Sequence, residues 1–524
     1  MTTPKEFRFE EDARNALREG IDQLAEVVAM TLGPRGRNVG LQTSWGSPTI
    51  TSDGDSIAKD IEFKDPFLNM GASMAKEVAS KIKEKAGDGT TTGIVLLRAL
   101  VQNGVKNIAS GANPTAIKRG MDKALEKLLG EIDALATQVK SVKDTQNIAT
   151  VSASGNREIG EKIAECFEKV GKEGVISIEE GKRTETTIEI VEGMQFERGY
   201  QSSYFCTNAE KLLAELSHPS ILITDKKISS AQEILPILQH IAASGQELLI
   251  ISEEVEGDTL STLVINKLRG SLKVVAVKAP GFGDQRKELL EDLAILTGAT
   301  VISEEKGFIL REAGADLLGH ADQVIVTKDK TTVVGGKGNA KALKERIAQI
   351  TAQIKTTSSY EREKLEERKA KLSGGVAVIK VGAPTESEMK KKKQNYEDSL
   401  HSTRAALENG IVTGGGIALL RAARSLKLSL SKEEQVGVQI LIRACEAPFR
   451  QIVSNAGFDP SLYLEEVLKG SQTTGFNAVT EQVEDLDKTG VLDPAKVVKS
   501  SITCAVSVAS VILLSEALMV NDGK

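Results

Sequence analysis

The segment EKAGDGTTTGIVLL, residues 84–97, places one acid and three hydroxyls between glycines, directly ahead of an apolar run. Gly87 and Gly89 permit a tight turn, and Asp88 favours a turn or a helix start. The apolar residues Ile94–Leu97 indicate that a buried helix begins just behind the turn. Free backbone N–H groups at a helix start, beside a carboxylate and hydroxyls, suit a phosphate and its metal ion. An ordinary helix N-cap explains the same residues, so the segment alone leaves both interpretations open.

Four further segments have residue types that could join such a site. TLGPRGRNV (31–39) ends a predicted helix in a turn whose backbone amides could meet an anion. ITSDGDSIA (50–58) presents an acid beside a glycine, and IVTGGGIALL (411–420) puts three glycines before a helix. NYEDSLHSTRAAL (395–407) places two acids on a predicted helix. Taken singly, each is more often a turn or a solvated acid than a binding site.

Composition limits the class of protein that carries these segments. A chain of 524 residues, 40% apolar and 27% charged, is typical of a soluble globular protein with about three domains. A net charge of −6 argues against nucleic acid as the main partner. The four cysteines lack metal or disulfide spacing and indicate a reducing compartment. The four histidines are isolated, and we assign them no metal or catalytic role.

The chain ends bear on its location. The N-terminal segment lacks the apolar core of a signal peptide and carries acids, unlike a transit peptide. No apolar run approaches the ~18 residues of a membrane span, and we expect residues 506–520 to form a buried helix because Ser and Glu interrupt them. We therefore expect a cytoplasmic protein without a membrane partner, in the bacterial cytosol or, less favoured, as a mature organellar form.

The elements that must position the site fall into two kinds. Residues 9–130, and again those after 410, show mostly helical periodicity. Short strands are predicted at 38–41 and 48–51, around a turn that contains Gly46. Two helix-rich ends with a different middle predict one discontinuous domain with an insertion.

The middle of the chain has β-branched runs separated by amphipathic segments, at residues 220–225, 247–252, 273–280 and 299–303. This alternation predicts β-α-β units and a parallel sheet. The charged segment 358–372 predicts a solvent-facing helix. At the predicted junctions, Gly193 and Gly374-Gly375 act either as simple turns or as hinges, and both interpretations stay open.

Two predicted helices of the middle have unusually wide apolar faces. Residues 230–241 and 258–270 present apolar arcs of roughly 160° and 200°, whereas packing on a sheet needs only about 100°. The apolar surface beyond this arc either packs into a thicker core or stays exposed to bind apolar partners.

The motifs together resemble one family. TLGPRGRNV, GDGTTT, EDSLHSTRAAL, TGGG and VLDP, in this order, resemble the signature set of the group I chaperonins of the GroEL type, and VKAPGFGDQR, GGVAVIKVG and MGASMAKEVASK add to the resemblance. It extends from about residue 5 to residue 520, and the chain has no P-loop motif. The family's fold is multidomain. It implies a discontinuous helical equatorial ATPase domain (1–134 and 409–524), a small α/β intermediate hinge domain (135–192 and 376–408), and an inserted α/β apical domain (193–375).

The resemblance also implies site residues and cofactors, namely ATP, Mg²⁺ and K⁺. The implied ATP-binding residues are Thr31, Leu32, Gly33, Pro34, Asp88, Gly89, Thr90, Thr91, Thr92, Gly415, Asn477, Ala478 and Asp493. Asp88 would hold Mg²⁺, and Thr31, Ser52 and Thr91 are candidate K⁺ ligands. Asp398, helped by Asp53, would orient or deprotonate the attacking water, so that hydrolysis is coupled to domain position.

The implied function is an ATP-driven chamber that refolds non-native proteins under a small co-chaperonin lid. It implies heptameric rings, two of them back to back, with Arg450 and Asp459 contacting the opposite ring. The implied client- and co-chaperonin-binding residues are Tyr200, Tyr204, Phe205, Leu235, Leu238, Leu260, Val264 and Ile265. A non-cycling holdase or scaffold paralogue with the same fold is the alternative.

Three residues depart from the family pattern. Ser52 stands where Lys is usual, Asp55 where a small apolar residue is usual, and Gly93 where Ala is common. The first two make the local charge more negative by about two units, and losing a cation near a triphosphate would cost on the order of 1–3 kcal/mol. Either ATP affinity or turnover is reduced, or Asp55 faces solvent and Ser52 supplies an oxygen to a monovalent cation. The C-terminal MVNDGK also lacks the Gly-Gly-Met repeats common in the family.

Overall fold

The computed structural model describes residues 4–42, 48–153, 155–171, 174–181, 183–208, 211–356, 359–373 and 375–521. Two compact units are drawn from these residues: a helical unit, within Met1–Glu165, Lys182–Glu185 and Val381–Lys524, and a sheet unit, within Cys166–Gly181 and Thr186–Lys380. The predicted turn at Gly46 and the predicted hinge residue Gly374 lie outside the described residues. The three-domain division stays a prediction.

The helical unit contains elements from both ends of the chain, as the discontinuous-domain prediction requires. Its N-terminal elements are β1 (Lys5–Phe9), α1 (Glu10–Ala29), β2 (Val39–Leu41), β3 (Thr49–Thr51), α2 (Gly54–Asp60), α3 (Pro66–Ala86), α4 (Thr90–Ala109), α5 (Pro114–Leu135), α6 (Val142–Ser152) and the start of α7 (Arg157–Val170).

The sheet unit interrupts the helical one. Its strands and helices are β4 (Val175–Glu180), β5 (Thr187–Val191), β6 (Gly193–Phe196), β7 (Ala214–Ser217), β8 (Ser220–Ile223), β9 (Lys227–Ile228), α8 (Leu235–Ser244), β10 (Glu247–Ser252), β11 (Glu254–Val255), α9 (Gly257–Leu268), β12 (Lys273–Lys278), α10 (Gly283–Thr297), β13 (Gly319–Val326), β14 (Thr331–Gly336), α11 (Ala340–Thr356), α12 (Ser359–Ser373) and β15 (Val376–Val381).

The helical unit then resumes. Its C-terminal elements are α13 (Glu386–Asn409), β16 (Ile411–Thr413), α14 (Ile417–Ser425), α15 (Lys432–Ala444), α16 (Ala447–Asn455), α17 (Pro460–Lys469), β17 (Thr474–Asn477), β18 (Gln482–Asp485), α18 (Leu486–Thr489), β19 (Leu492–Pro494), α19 (Ala495–Leu514) and β20 (Ala517–Asn521).

One aliphatic core holds the helical unit together, with buried residues from α1, α3, α4, α5, α15 and α19. The two chain ends are joined as well, because β1 pairs with β20 in antiparallel register, Phe7 opposite Met519. The predicted strands at 38–41 and 48–51 form the antiparallel pair β2–β3. Segments distant in sequence are thus fixed beside one another, as a composite site requires.

Helix α19 lies inside this core. Among the described residues it is the one helix long and apolar enough to cross a membrane, and 67% of its apolar stretch is buried inside the protein. The prediction of a buried C-terminal helix over residues 506–520 is confirmed for 506–514 and wrong beyond them, because α19 ends at Leu514 and Ala517–Asn521 form β20. The expectation that no apolar run approaches span length is wrong, because α19 begins at Ala495 and is longer than the segment considered.

The sheet unit is built on a seven-stranded sheet in the order β12-β10-β8-β13-β14-β6, with β7 pairing with β13. Strands β8, β10 and β12 are parallel, as predicted, with Leu248 opposite Val274. Strands β13, β14 and β6 are antiparallel, a half of the sheet that the β-α-β pattern did not indicate. The strand predicted at 299–303 is wrong as a regular strand, because only the isolated bridge Thr224–Ile302 forms there.

Helix α12 confirms the helix predicted at 358–372, apart from residue 358, which lies outside the described part of the chain. Its prediction as a purely solvent-facing helix is wrong. Arg368 is 4% exposed, and its Nε donates to Oδ2 of the fully buried Asp292 over 2.9 Å. A buried ion pair therefore anchors one face of this charged helix.

Candidate functional site

The two glycines around Asp88 take conformations that other residues rarely adopt. Gly87 ends α3 with φ 74°, and Gly89 precedes α4 with φ 90°. A Cβ atom at Gly89 would also lie 2.6 Å from Val497 Cγ1. The turn therefore requires glycine at both positions, and it holds Asp88 between the end of one buried helix and the start of the next.

A cavity of about 320 Å³ opens at this turn, entirely within the helical unit. All the residues predicted for ATP binding, water activation and K⁺ binding line it: Thr31, Leu32, Gly33, Pro34, Ser52, Asp53, Asp88, Gly89, Thr90, Thr91, Thr92, Asp398, Gly415, Asn477, Ala478 and Asp493. They come from seven separate stretches of the chain. Its volume lies at the lower end of the range for small-molecule pockets.

Threonine hydroxyls and a tight helix contact form the wall beside the Gly-Asp-Gly turn. The Oγ1 atoms of Thr31 and Thr91 are 3.5 Å apart. A Cβ atom at Gly54 would lie 2.3 Å from Thr91 Oγ1, so α2 approaches α4 closely enough to exclude a side chain there. Asn455 fixes the turn after α1, since its Nδ2 donates to the carbonyls of Ala29 and Leu32 over 2.9 Å each.

Asp88 is held by three donors. Its Oδ2 accepts from the hydroxyls of Ser152, at 2.7 Å, and Ser402, at 2.8 Å. Its Oδ1 accepts from the backbone N–H of Gly89 over 2.6 Å. Among the described residues no group of three His, Cys, Asp or Glu side chains could hold a metal. One fixed carboxylate fits Mg²⁺, which commonly binds through one or two carboxylates together with water and substrate phosphates.

Asp398 lies on α13 and points its carboxylate at the same cavity. Its Oδ1 accepts from Gln394 Nε2 over 2.9 Å and from the ammonium group of Lys83. The pKa of Asp398 is raised to about 7, mainly because burial removes water from the carboxylate; Asp53 and Asp88 also raise it, whereas Lys83 opposes the shift. A carboxyl group with a pKa near 7 is suited to accept a proton at neutral pH.

The cavity lining also combines an acid, Asp493, with a fixed amide, Asn477. Burial, followed by repulsion from Asp88, raises the pKa of Asp493 to about 7. The Oδ1 of Asn477 accepts from the backbone N–H of Val479 over 3.0 Å, and its Nδ2 donates to Glu484 over 2.6 Å. Groups that can hydrogen-bond a sugar and a base therefore line the same cavity as the Gly-Asp-Gly turn.

The structure corrects part of the interpretation of Ser52, Asp55 and Gly93, the three residues that depart from the family pattern. Asp55 does not face solvent: it is 6% exposed, and its Oδ2 lies 2.8 Å from Lys59 Nζ. Asp55 is also absent from the cavity lining, and Lys59 offsets its charge locally. The predicted gain of two negative charges at the cavity is therefore too large. Ser52 does line the cavity. At Gly93 a Cβ atom would lie 2.1 Å from Ile82 Cδ1, the end of a flexible side chain, so alanine there would require Ile82 to change its rotamer.

The predicted client-binding residues lie in the sheet unit, and three of the eight are exposed. Tyr204 is 63% exposed, Leu235 44% and Ile265 46%. Tyr200, Leu260 and Val264 are half-buried and pack against the core. The prediction fails for Phe205 and Leu238 as surface contacts, because they are 0% and 7% exposed. A thicker core thus takes up most of the wide arc on α8, whereas α9 leaves apolar surface open.

The residues predicted to contact a second ring lie close together. Arg450 Nη1 donates to Ser461 Oγ over 3.4 Å, and Asp459 Oδ1 accepts from the backbone N–H of Ser461 over 2.8 Å. Arg450 also donates to Glu446 from Nη2 over 3.0 Å. These contacts are all local, and the role in ring contact stays a prediction.

Sequence reasoning missed the residues that hold the two central acids. Lys83 and Ser152 lie outside the segments that were singled out for the site, whereas Ser402 lies in NYEDSLHSTRAAL but was given no role. Gln394 had a signal, because it lies four residues before Asp398 on one helix, where side chains meet. Lys391, one turn earlier again, also lines the cavity.

The amino-acid sequence was also compared with those of known proteins. The sequence pattern of the TCP-1/cpn60 chaperonin family matches residues 24–522. The chain is 60% identical over 523 residues to Chaperonin GroEL 3 of Protochlamydia amoebophila (strain UWE25), a match that covers 99% of this chain and 98% of the relative. Both matches cover the residues that line the cavity and the inserted sheet unit.

Proposed function

Because this chain belongs to the TCP-1/cpn60 chaperonin family, we propose that it is an ATP-dependent molecular chaperone that encloses non-native proteins for refolding. The observation that carries the proposal is the single cavity in which all sixteen residues predicted for nucleotide, cation and water meet. Backbone amides, hydroxyls and acids alternate around it, as a phosphorylated ligand requires.

The cavity's residues have distinct roles in ATP hydrolysis. The turn Thr31–Pro34 and the start of α4 bind and orient the phosphates. Asp398 accepts a proton from the water whose oxygen attacks the terminal phosphorus, while the bond to the bridging oxygen breaks and ADP leaves. Asp53 assists by orienting that water, and Lys83 keeps Asp398 partly ionised at neutral pH.

Two cations complete this proposal. Mg²⁺ bound at Asp88 would neutralise charge on the phosphates. Asp88 Oδ1 accepts one hydrogen bond, from Gly89, so it would have a lone pair for the ion while Oδ2 keeps its two serine hydroxyls. K⁺ would be held by the hydroxyls of Thr31, Ser52 and Thr91, two of which lie 3.5 Å apart.

The assembly is likewise a proposal. We infer heptameric rings with ring-to-ring contacts at Arg450 and Asp459, a small co-chaperonin lid, and division into equatorial, intermediate and apical domains at the bounds given above. The apical client surface would be formed by Tyr204, Leu235 and Ile265, with Tyr200, Leu260 and Val264 beside them. The bacterial relative supports a place in the bacterial cytosol.

A refolding experiment separates this function from that of a passive holdase. A chemically denatured enzyme is captured by the size-fractionated oligomer, and ATP with Mg²⁺, K⁺ and a group I co-chaperonin is then added. We expect capture without ATP and recovery of the enzyme's activity after ATP. Capture with no ATP-dependent recovery would instead establish a holdase.

A further inference from the structure

The cavity contains more negative than positive charge. Four carboxylates line it, those of Asp53, Asp88, Asp398 and Asp493. Among the described lining residues, Lys391 is the one cation. Lys83 adds a second positive charge by pairing with Asp398. Because the pKa values of Asp398 and Asp493 are about 7, the four carboxyl groups carry about three negative charges at pH 7, an excess of about one over the two lysines. A polyphosphate makes this excess larger, and its binding therefore requires each available cation.

Lys391 is placed to meet such a ligand. It lies seven residues before Asp398 on α13, so helical spacing puts the two on one face, with Gln394 between them. Its Nζ is 3.5 Å from Asn38 Oδ1, longer than a normal hydrogen bond. Asn38 closely follows the Thr31–Pro34 turn, which is predicted to contact phosphate.

The neighbouring lysines have different surroundings. Lys390 Nζ lies 2.7 Å from Glu386, and Lys392 Nζ lies 3.1 Å from Glu158. Lys391 instead contacts a neutral amide, that of Asn38, and its exposed side chain lines the cavity. Within the part of the helix that the structure describes, Lys391 is thus the lysine whose charge is directed at the cavity.

We propose that Lys391 is a phosphate-contacting residue that binds the terminal phosphate of ATP and supplies the positive charge that Ser52 does not. The inference rests on the proposed ATPase function. Because Lys391 and Asp398 share one helix, the contact would also draw the water-activating carboxylate towards the phosphate. ADP lacks the terminal phosphate, so the contact favours ATP over ADP.

The test compares three variants of the full-length oligomer: Lys391→Gln, Lys391→Arg and the control Lys390→Gln. The control removes the same charge one residue away, on a side chain that does not line the cavity. Affinities for ADP and for a non-hydrolysable ATP analogue are measured by calorimetry with Mg²⁺. We expect Lys391→Gln to weaken analogue binding about tenfold and ADP binding less than threefold, since a charged hydrogen bond at an exposed site is worth about one decade. Lys391→Arg and Lys390→Gln should stay within about threefold of the parent.

A double variant tests whether a lysine at position 52 can take the role of Lys391. Ser52→Lys introduced into Lys391→Gln should restore most of the lost affinity for the analogue. Equal losses for ADP and the analogue, or no loss at all, would overturn the inference while leaving the ATPase proposal intact. Failure of the parent chain to bind either nucleotide would overturn both.

Discussion

Replacing Lys83 by Gln would change the proton affinity of the water-activating carboxylate without touching the carboxylate itself. The Lys83 ammonium hydrogen-bonds Asp398, and burial together with Asp53 and Asp88 already raises the pKa of Asp398 to about 7. Lys83 is the group that opposes this rise. Its removal should therefore raise the pKa of Asp398 further.

The size of the effect follows from the charge that is lost. An opposite charge in contact lowers a carboxyl pKa by about 1–3 units, so the variant should titrate near pH 8–10. At pH 7 the ionised fraction of Asp398 would fall from about one half to between one tenth and one thousandth. Because the ionised form accepts the proton, kcat at pH 7 should fall about 5- to 500-fold and recover as the pH rises.

The assay is steady-state phosphate release at saturating Mg–ATP between pH 6 and pH 9.5. Lys81→Gln is the matched control, since Lys81 lies on the same helix and pairs with Glu77 on the surface at 2.5 Å. The control should keep the parent's midpoint near pH 7. A Lys83→Gln profile with the parent's midpoint and only a lower plateau would refute this account of the pair.

Two further predictions concern stability and client binding. Lys59→Gln leaves the buried Asp55 carboxylate without its cation. The free energy of unfolding should fall by about 1–3 kcal/mol, less than for a fully buried pair because Lys59 is half exposed. Calorimetry should show a lower Tm, and adding Asp55→Asn to the same chain should restore it. Ile265→Ser should weaken capture of a denatured enzyme about fivefold, because about 1 kcal/mol of apolar contact is lost. Light scattering measures that capture. Val511→Ser should leave it unchanged, since Val511 is an aliphatic residue of the helical unit that is exposed to 56%, against 46% for Ile265.

Outcomes against these two predictions are equally specific. An unchanged Tm for Lys59→Gln would mean that Asp55 does not depend on its ion pair. Equal capture by Ile265→Ser and the parent would remove α9 from the client surface.

Local sequence predicted the parts of the site that local geometry determines. The Gly-Asp-Gly turn needs positive φ at Gly87 and Gly89, and that need is visible in the residue types alone. Helix periodicity likewise placed Asp398 on a helix. The family resemblance then supplied what no single motif could, the meeting of distant segments in one cavity.

What the sequence could not give depends on tertiary packing. Lys83, Ser152 and Ser402 reach the central acids from separate helices, so no spacing along the chain relates them. The wide apolar arc on α8 did not distinguish a buried Leu238 from an exposed Leu235, because periodicity gives a direction and not a depth. The antiparallel half of the large sheet was also not predicted, because strand pairing is decided between residues far apart in sequence.

The most direct test of the central claim is phosphate release by the size-fractionated oligomer with Mg²⁺ and K⁺, measured for the parent and for Asp398→Ala beside ATP binding by each. We predict that the parent hydrolyses ATP, whereas Asp398→Ala binds ATP but loses hydrolysis by about a hundredfold or more. Hydrolysis by Asp398→Ala at the parent's rate would contradict the assignment of the cavity's water-activating residue. An intact oligomer of the parent that neither binds nor hydrolyses ATP would contradict the ATP-dependent chaperone itself.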